Sequence, residues 1–66
     1  MATALKLERT RQNIKQYRLA SLIGISPSEL SLYESGRQRC PADMRYKISN
    51  VLGVKVDELF PEEANQ

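Results

Sequence analysis

Residues 16–36 read QYRLASLIGISPSELSLYESG, and this stretch decides the fold. Leu19, Ala20 and Ile23 fall at i, i+1 and i+4, and Leu30, Tyr33 and Glu34 at i, i+3 and i+4 form the corresponding stripe, so each half predicts a short helix with one inward face. Gly24 stands where the first helix must stop, a position that commonly needs a left-handed backbone and favours a residue without Cβ. Ser26 then offers an N-cap oxygen. Pro27 suits the first helical position because its missing N–H costs nothing there, and Glu29 stands at capping-box spacing from Ser26. Two helices must therefore cross through a tight glycine turn.

Helix, glycine turn and capped helix make a helix-turn-helix, a motif whose second helix usually enters the DNA major groove. The segment closely resembles the helix-turn-helix of the phage repressor and Cro regulators, the Xre-like family. The matching positions are Arg9, Gln16, Leu19, Ala20, Gly24, Ser26, Leu30, Tyr33, Glu34, Gly36, Pro41, Leu52, Gly53, Val54 and Leu59. The resemblance runs from about Leu5 to Phe60, nearly the whole chain.

Outward from this core, helices are expected over about 3 or 4–12, 16–23, 27–35, 42–52 and 56–60. Thr3 is a possible cap for the first. Asn13 is its stop, since asparagine tolerates the left-handed conformation. Lys15 opens the second helix but cannot accept a hydrogen bond from its amides. Gly36 and Gly53 end the third and fourth. Ile14 is expected to drop back into the core, with Met44, Ile48, Val51 and Leu52 turned inward on helix 4 and Val56, Leu59 and Phe60 joining them from helix 5. Only residues 53–56 alternate like a strand, too briefly to form one. The expected fold is all-α: four to five short helices in one domain over 1–66, ordered over about 3–60, with a polar tail at 61–66.

A chain of 66 residues buries only about 60% of its unfolded surface, so stability should be modest. One cysteine, Cys40, permits no internal disulfide and suits a reducing compartment. Without histidine, a structural zinc site is excluded. No apolar run approaches the roughly 20 residues that span a bilayer, and no signal peptide core is evident; the chain reads as soluble and cytoplasmic, with no membrane partner. The net charge of +2 is unevenly spread. Residues 1–47 carry nine Lys or Arg against Glu8, Glu29, Glu34 and Asp43, a net of +5, whereas residues 48–66 carry −3. A basic face suits phosphate contact, and a solvated helical surface gives similar counts.

The resemblance implies an ion pair between Arg9 and Glu34 that sets the angle between helices. It implies base reading by Pro27, Ser28 and Leu32, a set without the bidentate readers Arg, Gln and Asn. Glu29 and Ser31 share the first turns of that helix and are further base-contact candidates; Glu29 would accept from a cytosine amine or merely complete the cap. Gln16 matches the family's clamp on the DNA backbone, while Arg11, Lys15, Ser35, Arg37 and Arg39 are phosphate candidates or solvated surface. Specificity then leans on DNA shape, bridging water, or Arg37 and Arg39. Tyr17, Tyr46 and Met44 mark either a partner surface or the margin of the core. Cys40 is either inert or a sensor of oxidation between chains.

These readings lead to a helix-turn-helix regulator of transcription, a repressor binding double-stranded DNA as a homodimer on a near-palindrome with half-sites about 34–36 Å apart. Analogy with relatives places the dimer surface on helix 4, the Gly53 loop and the last helix, with Val54, Val56 and Phe60. No cofactor, metal or small-molecule ligand is evident. The rival is a protein-interaction module of the same fold, such as an antitoxin or a regulator's partner. An enzyme is excluded on chemistry, since no nucleophile has an evident base and no phosphate loop is present.

Overall fold

The computed structural model describes residues 3–61. Five helices follow in order: α1 (Ala4–Arg11), α2 (Gln16–Ile23), α3 (Pro27–Ser35), α4 (Ala42–Leu52) and α5 (Val56–Leu59). Among the described residues there is no strand. The all-α architecture expected from the helical spacing is the one observed. Most of the expected tail lies outside the described residues.

Local chemistry sets most boundaries. The Thr3 hydroxyl accepts from the Lys6 amide and caps α1. The chain leaves α1 through Gln12 and turns at Asn13 with φ +59°. Gly24 ends α2 at φ +79°, and a Cβ there would meet nothing within 4 Å. The demand for glycine is therefore one of backbone conformation rather than space. Ser26 caps α3 by accepting from the Glu29 amide at 3.1 Å. At α2, Lys15 is the N-cap and supplies no side-chain bond. Lys15→Ser should raise stability by about 1 kcal/mol, by the usual worth of an N-cap oxygen, and thermal melting of the two proteins checks it.

The core is one cluster of Leu5, Leu19, Ala20, Ile23, Leu30, Tyr33, Cys40, Ile48, Leu52, Leu59 and Phe60, with Ile14, Ile25, Met44, Val54 and Val56 packed against it. α2 packs on both α3 and α4, while α5 closes against α1 and α4. Three expectations need correction. Val51 is 37% exposed, because Ile48 and Leu52 already fill the inward face of α4. Phe60 caps α5 rather than continuing it. Tyr17 and Tyr46 are 66% and 64% exposed and stand clear of the core margin. Cys40 is 2% exposed, so oxidation against another chain would require its loop to open.

Candidate nucleic-acid interface

The arrangement begins with a buried carboxylate. Glu34 is 2% exposed at the inward end of α3. Arg9 reaches it from α1 through Nε at 2.5 Å and Nη2 at 3.2 Å, and donates Nη1 to the Ile14 carbonyl at 2.6 Å. Gln16, the first residue of α2, donates its amide at 2.9 Å to Oε1, the carboxylate oxygen that also accepts from Arg9 Nη2. The Thr3 hydroxyl donates to the Glu34 carbonyl at 2.7 Å. Side chains from three helices thus meet on one carboxylate, and no buried side-chain polar atom among the described residues lacks a partner. A charge taken out of water is tolerable under those conditions.

This junction orients α2 and α3. Pro27, Ser28, Ser31, Leu32 and Ser35 line the exposed face of α3, with Leu32 37% exposed, while Leu30, Tyr33 and Glu34 point inward. Lys15, Arg37 and Arg39 are exposed at the start of α2 and beyond the end of α3. The amide of Gln16 carries two donors, so binding Glu34 leaves a second N–H on that nitrogen. Ser35 donates its hydroxyl to the Leu32 carbonyl at 3.1 Å. Its one proton is therefore engaged within α3, and donation to a phosphate would require a different rotamer.

Arg11 is engaged along its own helix. It pairs with Glu8 one turn earlier, through Nε at 2.9 Å and a second, shorter bond from Nη2. The hydrogen bond from Arg11, followed by one from Gln12, holds the Glu8 carboxyl down at about 2. Gln12 also donates to the Leu52 carbonyl at 2.8 Å, tying α1 to the end of α4. Reaching a phosphate would cost Arg11 this partner. Gln12 and Thr3 act between elements, and spacing along the chain holds no signal for such roles.

Glu29 also departs from the expected capping box. The Ser26 half forms, but the carboxylate accepts from the Tyr33 hydroxyl at 2.6 Å. That bond, with burial second, pushes the Tyr33 phenol up to about 12, so it stays a donor at neutral pH. Of the expected dimer residues, Phe60 is buried in the core, and Val54 and Val56 are half-buried against it. No group of three or more potential metal ligands occurs among the described residues. No helix there is long and apolar enough to cross a membrane.

A family model described as helix-turn-helix matches residues 5–59. An uncharacterized HTH-type transcriptional regulator of Methanocaldococcus jannaschii is similar to this chain, with 29% identity over 66 residues that cover the whole of both. No solved structure gives a significant match. The matched span contains α2 to α5, all of α1 but its first residue, and the Arg9–Glu34–Gln16 junction: the chain belongs to the Cro/C1-type helix-turn-helix family, the Xre-like DNA-binding regulators of transcription.

Proposed function

We propose that this protein is a single-domain, cytoplasmic repressor that binds a near-palindromic operator as a homodimer, without cofactor or small-molecule effector. The observation carrying this reading is the buried junction of Arg9, Glu34 and Gln16, which couples the N-terminus of α2 to the end of α3. A rigid unit of this kind presents Gln16 and the α2 amides to the phosphate backbone while the first turns of α3 enter the major groove. Lys15, Arg37 and Arg39 supply the flanking positive charge, and Arg11 is left out because Glu8 holds it. Pro27, Ser28, Ser31 and Leu32 face the bases. Leu32 offers an apolar surface to a thymine methyl, and the serines bond to several base edges.

The dimer surface lies on α4 and the Gly53 loop. Val51 and the outer atoms of Val54 and Val56 contribute to it in place of Phe60. Two copies related by a twofold axis would read half-sites about one helical turn apart, and repression follows from competition with polymerase for the site.

Selection of bound sequences from random duplex DNA, at two salt concentrations, tests the proposal. The expected result is an enriched inverted repeat with half-site centres about 10 base pairs apart. Retention without enrichment, vanishing as salt rises, would overturn operator recognition. It would favour the protein-interaction module, with exposed Leu32 as part of the docking face.

A further inference from the structure

The three expected base readers are Pro27, Ser28 and Leu32, and none is a group that discriminates strongly among base edges. The carboxylate on the same turns, Glu29, has an unusual position. It is half-buried at the edge between the exposed and inward faces of α3, and it does not return to the Ser26 amide as a capping box would. Helical side chains lean toward the N-terminus, so the Tyr33 ring, 5% exposed, reaches back one turn and donates to Glu29 Oε2 at 2.6 Å. A long acidic side chain is thereby held still on the first turn of the groove-entering helix. Oε1 remains as an acceptor, since a carboxylate offers about four lone-pair sites and the phenol takes one.

We propose that Glu29 is a specificity-determining residue of α3 that accepts from the amino group of a cytosine, and that Tyr33 is the positioning residue that aims it. The proposal rests on the operator-binding reading above. The choice of base follows from the pattern of groups in the major groove. Cytosine presents an amino donor, which suits an acceptor-only carboxylate, whereas adenine sets its amino group beside the N7 acceptor, which repels the second oxygen, and guanine presents acceptors alone. The charge is tolerated because the first turn of a helix favours an anion. Fixing the side chain before DNA arrives removes an ordering cost from the binding step.

The experiment is sequence selection with the wild-type chain, Glu29→Gln and Tyr33→Phe, each checked for folding by thermal melting. The wild type should select cytosine at one position in each half-site. Glu29→Gln should lose that preference at least about fivefold and turn it toward adenine, whose N6 and N7 suit the Gln amide. Tyr33→Phe keeps the ring in the core and removes only the hydroxyl. It should weaken the cytosine preference at that position severalfold, leaving the remaining positions unchanged. A purely structural Tyr33–Glu29 bond would lower melting in both variants and leave every base preference intact, and that result overturns the proposal while operator binding stands. A wild-type chain that selects no sequence overturns the operator reading, and the proposal with it.

Discussion

Glu34→Ala is expected to lower the melting temperature by about 15 °C or more and to weaken DNA binding in the same protein. Removing one partner from a buried ion pair costs about 3–5 kcal/mol, because the other charge stays out of water without compensation. In a domain of 60–100 residues each kcal/mol moves the melting point by about 4–8 °C. The junction here concentrates the damage: Arg9 loses both carboxylate bonds and Gln16 loses the acceptor that orients it at the start of α2. Stability and affinity should therefore fall together, whereas a surface glutamate would change neither. Replacing both charges, as in Arg9→Met with Glu34→Leu, should recover much of the melting temperature, since an apolar pair of similar volume leaves no buried charge. DNA affinity should not recover with it, because Gln16 still lacks its partner. Unchanged melting in Glu34→Ala would remove the ion pair from the account of the fold.

The second large effect is expected from salt. The cations proposed to meet phosphates on this face are Lys15, Arg37 and Arg39, Arg11 being paired with Glu8. Three neutralised phosphates give a slope of log K against log salt near −3 per protomer, and about twice that for a dimer on two half-sites. Raising salt from about 50 to 200 mM should then cost about 40-fold in affinity per protomer, and on the order of a thousandfold for the dimer. Arg37→Ala with Arg39→Ala should flatten the slope by about two per protomer while leaving the order of preferred sequences intact, as expected for phosphate contacts. Titration across a salt series gives the answer, and a flat response would place DNA binding, if any, on another face.

The scaffold of this reading was legible along the chain because its determinants are local. Gly24 and Gly36 end helices by adopting φ near +79° and +77°, and Ser26 opens α3 through a bond three residues away. Apolar residues at helical spacing marked the inward faces of α2 and α3. Such signals act within a turn or two of their own helix, so they survive without knowledge of the rest of the fold.

The inward face of α4 was legible only in part. Ile48 and Leu52 are buried, but Val51 is not, because spacing selects a stripe and the neighbouring helices decide how wide a stripe they cover. Composition and spacing, with the resemblance they carried, were thus enough to determine an all-helical DNA-binding class, a helix-turn-helix at 16–36, and most of its caps and stops. Tertiary structure alone decided which side chains reach beyond their own helix. Gln12 reached across to the Leu52 carbonyl, Gln16 met the Glu34 carboxylate and Phe60 was drawn into the core, whereas Glu29 and Arg11 took partners one turn away in their own helices. The physical reason is reach: a capping bond or a glycine turn is settled by a few adjacent residues, whereas a flexible charged or amide side chain has several partners within range, and only the packing of whole helices selects among them.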